Sequence, residues 1–147
     1  MVPVDQQLIN QLYKPSQWEV TPDISEHWRR SLYLIAKRNL KLPFMEVFDQ
    51  PPAQTSCSRR EQSTHAPQSL ELLNGQLSNQ LAEAFADRLL DEAGHDRRLQ
   101  VWLAYRLATG REPTEQEEGL ALRFLAEAPL REFALAIFNL NSFLYVN

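Results

Sequence analysis

The sequence predicts a mainly α-helical fold: a helical bundle from about residue 67 onward, preceded by an irregular, Arg-rich N-terminal half. Three observations predict it. Apolar residues after Pro67 recur at spacings of three and four, the period of a helix that buries one face. Gly94 and Gly110 interrupt that pattern where helices commonly stop. Before Pro67 the chain is punctuated by Pro15, Pro22, Pro43 and Pro51-Pro52, residues that end or break regular structure.

The elements follow in chain order. Gln6 to Tyr13 reads as one or two helical turns closed by Pro15. Ser25 is a candidate N-cap, and Trp28, Leu32, Ile35 and Ala36 share a helical face as far as Asn39. Leu32, Leu34 and Ala36 also fit a strand, so that segment stays open between the two. Pro43 stops it, and residues 42–66 read as the least regular stretch. Loops of that length are often functional or tightly packed.

From Pro67, a suitable first helical position, Leu70, Leu73, Leu77, Leu81, Ala84, Phe85 and Leu89 form one apolar face, broken at Asn74-Gly75. The next helix, about His95 to Thr109, carries Leu99, Trp102, Leu103 and Leu107. Thr114 with Glu117 makes a capping box, opening a helix that carries Leu120, Leu122, Phe124 and Leu125. Pro129 opens the last helix, with Phe133, Ile137, Leu140 and Leu144 on one face. Short connections predict antiparallel neighbours.

Length and composition fit one domain or a piece of one, with 1–66 as a wrapping segment and 67–147 as the bundle. Residues 1–75 hold 8 basic and 8 acidic side chains and residues 76–147 hold 7 and 11, which accounts for the whole net charge of −4. A nucleic-acid binder shows the opposite bias, because it replaces phosphate counterions. No apolar run approaches the roughly 18–20 residues of a membrane helix. The first ten residues include Asp5, Gln6 and Gln7 and do not read as a signal peptide. If the intact protein is exported, its signal is expected outside this chain.

Few residues invite chemistry. Cys57 is the only cysteine, which excludes an internal disulfide. Arg59 and Arg60 would lower its pKa if it were a reactive thiol, and the plainer reading is a small buried side chain. His65, His27 and His95 are single histidines without a ligand-spaced partner, and one histidine does not hold a metal. Arg29, Arg30, Arg38, Arg59 and Arg60 could grip an acidic glycan in forked contacts. Their plainer role is pairing with Glu46, Asp49 and Glu61, which arginine suits. Trp18 lies in a Pro-flanked loop and is the better candidate for an exposed, sugar-stacking ring, whereas Trp102 reads as core. Glu115, Glu117 and Glu118 sit in a first helical turn, where capping and the helix dipole account for them. Arg111 can reach back to helix-end carbonyls or pair with Glu117, a structural pin in either case. No catalytic constellation, metal site or Cys-x-x-Cys-His haem attachment motif is visible.

Several stretches together carry a resemblance. They are Arg29-Arg30-Ser31-Leu32-Tyr33-Leu34 with Lys37-Arg38-Asn39, then Phe48-Asp49 and Ser56-Cys57-Ser58-Arg59-Arg60. Pro67-Gln68-Ser69-Leu70, Gly110-Arg111-Glu112-Pro113-Thr114 and Asn139-Leu140-Asn141-Ser142-Phe143-Leu144-Tyr145 follow. In this order they resemble the carboxyl-terminal part of the planctomycete-type domain of unknown function 1553. Ser142 departs from the Glu usual there, and Ser58 from a frequent Pro. The resemblance implies a C-terminal fragment of a larger domain within a large exported bacterial protein, with upstream domains of the same polypeptide as partners and polysaccharide as a further one. A haem would then belong to an upstream cytochrome c domain, since this chain carries no cofactor motif. Three functions stay open on that basis: a non-catalytic module, an accessory part of a carbohydrate-degrading enzyme, and an electron-transfer partner of a c-type cytochrome domain.

Overall fold

The computed structural model describes residues 9–10, 14, 16, 18–28, 30–34, 42–51, 54–59 and 66–144. Among the described residues the regular structure is helical, and there is no strand. The chain divides into two compact units, Met1–Thr64 and His65–Asn147.

In the first unit Ile9 and Asn10 are helical. The rest of the predicted Gln6 to Tyr13 helix lies outside the described residues. The expected helix from Ser25 is replaced by two 3-10 turns, Ile24–Trp28 and Ser31–Tyr33. Asp23 takes the capping role expected of Ser25. Its carboxylate accepts from the Ser25 amide at 2.9 Å and from the Ser25 hydroxyl at 2.7 Å. Those bonds hold the Asp23 carboxyl below its ordinary pKa. His27 Nε2 lies 2.7 Å from the Thr21 carbonyl oxygen and ties the turn back on itself. Leu32 and Tyr33 are exposed, and Ile35 and Ala36 lie outside the described residues.

Pro43 opens a helix, and residues 35–41, which it is expected to stop, lie outside the described residues. The proline stands at the start of α1, Pro43–Val47, where its missing amide proton costs nothing. Asp49 follows with φ 58°. The Asp49 amide bonds Glu46 O at 3.2 Å and the Gln50 amide bonds Met45 O at 3.0 Å, the paired bonds of a Schellman ending. Phe44 and Phe48 stack across one turn, their rings 4.9 Å apart.

The second unit is built from α2 (Ala66–Asn74), α3 (Gln76–Ala93), α4 (Arg97–Thr109), α5 (Glu115–Glu127), α6 (Leu130–Phe138) and the short α7 (Asn141–Leu144). Each boundary has a local cause. Gly75 separates α2 from α3, and a Cβ there would collide with the Glu71 carbonyl oxygen. Asp96 caps α4 by accepting from the Arg98 and Leu99 amides at 2.9 and 3.2 Å. That cap starts the helix two residues after His95. Gly110, with φ 74°, ends it. The chain after α6 turns at Asn139, so Leu144 belongs to a separate short helix and not to a continuous last one.

The core of this unit joins Leu89, Val101, Ala104, Tyr105, Ala121, Leu125, Phe133 and Ile137. Beside it, Ala82 and Ala86 of α3 meet Ala134 and Leu135 of α6. Small residues on α3 let α6 approach its backbone closely, and the rings of Phe85 and Phe138 close the gap at 5.6 Å. Asn79 fastens the junction of three helices. Its amide donates to Gly75 O at 2.9 Å and Leu73 O at 3.4 Å, and its oxygen accepts from Arg131 of α6.

The buried faces differ in part from those the sequence predicts, although Leu89 and Leu125 are buried as expected. α3 buries Ser78, Ala82, Ala86, Leu89 and Ala93, while Leu77 and Leu81 are exposed. α4 buries Gln100, Val101, Ala104 and Tyr105, leaving Leu99, Trp102 and Leu107 exposed. On α5 the buried pair is Ala121 and Leu125, while Leu120 and Phe124 are exposed. α6 matches its prediction, with Phe133 and Ile137 buried.

Candidate functional site

Of the eight residues that the sequence singles out, four are described. Arg29, Arg38, Arg60 and His65 lie outside the described residues. Arg30 and Arg59 are both exposed. Cys57 is exposed, which corrects the expectation of a buried thiol. Its Sγ donates to the Arg59 carbonyl oxygen at 3.1 Å, so the Cys57–Arg59 contact is to backbone and not to the guanidinium. Trp18 is buried, with 5% of its surface accessible, and offers no open ring face for a sugar to stack on. Trp102, expected in the core, is exposed. Its outer face lies under Arg106, whose guanidinium carbon is 6.0 Å from the ring centroid.

A polar cluster sits where α4 turns into α5. Thr114 and Glu117 form the predicted capping box. The Glu117 carboxylate accepts from the Thr114 amide at 2.8 Å, and the Glu117 amide donates to the Thr114 hydroxyl oxygen at 3.3 Å. Arg111 grips the same carboxylate with both guanidinium nitrogens, at 2.8 and 2.6 Å. The Arg111 bond, aided by those from Thr114, holds the Glu117 carboxyl down to about 2. Arg111 also lies 5.8 Å from the Tyr105 ring, and burial pushes the Tyr105 phenol up. The Thr114–Glu117 bonds close the start of α5, and Arg111 reaches from the connecting turn to Glu117 and to the Tyr105 ring of α4, so the chemistry of the cluster is that of a brace.

Three further arginines of this unit form ion pairs. Arg88 pairs with Glu92 at 2.6 Å, Arg98 with Glu118 at 3.6 Å and Arg131 with Glu132 at 2.6 Å. Gln100 is fully buried and satisfied, accepting from Arg97 at 3.0 Å and donating to the Gly94 carbonyl oxygen. No group of three or more potential metal ligands occurs among the described residues. No helix among them is long and apolar enough to cross a membrane.

The feature with no internal explanation is apolar. Leu70 and Leu73 on α2 and Leu77 and Leu81 on α3 are 57, 45, 38 and 40% exposed. They point away from the core faces of their helices, which run through Leu72 and through Ala82, Ala86 and Leu89. Single exposed leucines are ordinary. Four on the successive turns of two consecutive helices are a surface that water leaves poorly solvated, of the kind that marks interaction sites. Their spacing of three and four predicts a buried face, and the structure leaves all four exposed.

No curated protein and no solved structure matches the chain. One family model does: that of a protein of unknown function, DUF1553, over residues 3–125. The matched span takes in most of the chain and ends at Leu125 within α5, with the braced Arg111–Glu117 junction and the exposed leucines inside it. On that coverage the chain belongs to the DUF1553 family of proteins of unknown function.

Proposed function

We propose that this chain is a non-catalytic docking module of a larger, exported bacterial protein, and that its occupant is an upstream domain of the same polypeptide. The observation that carries the reading is the exposed leucine face of α2 and α3. Burying four leucines at a domain interface gains on the order of 1 kcal/mol or more for each, given the fraction of each side chain still open to water. The polar side chains of the second unit support the same reading. Arg88, Arg98, Arg111 and Arg131 are tied into intramolecular ion pairs, and the capping groups Asp96 and Thr114 into helix ends. Fold alone does not define function, so the reading stands on this surface.

The test uses the polypeptide extended through the coding sequence upstream of Met1. Amide hydrogen exchange of α2 and α3 is compared between the extended and the isolated chain. Slower exchange at Leu70, Leu73, Leu77 and Leu81 in the extended protein supports docking on this face. A Leu77→Glu, Leu81→Glu variant should lose that protection while keeping its helical circular dichroism. Equal exchange in the two proteins would overturn the proposal.

A further inference from the structure

We draw no further inference here: the strongest candidate, the outer face of α4 bearing exposed Leu99, Trp102 and Arg106, is an unpartnered face, and nothing in the structure shows what covers it.

Discussion

Replacing Leu89 by alanine tests the placement of α3 directly, because Leu81 two turns earlier serves as its control. Leu89 is fully buried among Val101, Ala104, Tyr105, Ala121, Leu125, Phe133 and Ile137. Its truncation removes three carbons from contact with three surrounding helices, α4, α5 and α6, and leaves a cavity that close packing resists filling. Transfer of those carbons costs about 2.4 kcal/mol, and the cavity brings the loss to about 3–4 kcal/mol. In a domain of this size each kcal/mol lowers Tm by about 4–8 °C, so a drop of about 12 °C or more is expected. Leu81 is 40% exposed, and its truncation should stay within about 0.5–1 kcal/mol. Urea unfolding of the whole chain, followed by circular dichroism, measures both. Equal losses at the two positions would mean that α3 is rotated from the face described, and the docking surface would vanish with it.

Other consequences are as concrete. Gly75→Ala should destabilise by about 1–3 kcal/mol, since the new methyl meets the Glu71 carbonyl oxygen. Gly119→Ala, which meets nothing within 4 Å inside α5, should stabilise by about 0.5–1 kcal/mol; urea midpoints separate the two signs. The depressed pKa of Glu117 sets a pH dependence. Its contribution is complete above the ordinary value of 4.5 and is lost as pH falls toward about 2. Thermal unfolding at pH 7 and pH 3 should therefore differ less in Glu117→Gln than in the native chain. Cys57 is exposed and should react with one equivalent of an aromatic disulfide reagent before any denaturant is added; a thiol that reacts only on unfolding would contradict its placement.

Helix existence was legible in the sequence wherever a capping signal was written in a few adjacent residues. The Thr114–Glu117 box, the glycine stops at Gly94 and Gly110, and the Arg111–Glu117 pair all depend on neighbours within a turn or two. Helix orientation was not legible in the same way. Leucines at 70, 73, 77 and 81 keep a helical period as well as the alanines at 82, 86 and 93 do. Which row turns inward is decided by α6, whose Ala134 and Leu135 need a low surface to pack on. That is a contact between residues some fifty positions apart, and periodicity carries no trace of it. The same cause moved Trp102 outward and Tyr105 inward. Ser25 failed as a cap for a local reason: Asp23 is the stronger acceptor and lies two residues earlier. Of the candidate cluster, composition identified the residue types, while the burial of Trp18 and the exposure of Cys57 depend on tertiary packing.

The family match ends at Leu125, yet two large apolar side chains of the helical core, Phe133 and Ile137, come from α6 beyond that point. A fragment trimmed to the matched span would leave one wall of the bundle missing. Leu89 and Val101 would open onto solvent, and the alanine row of α3 would lose the helix it was shaped to receive. The boundary of recognisable ancestry and the boundary of cooperative folding therefore fall at different places in this chain, and a minimal folding unit has to reach past the first to include α6.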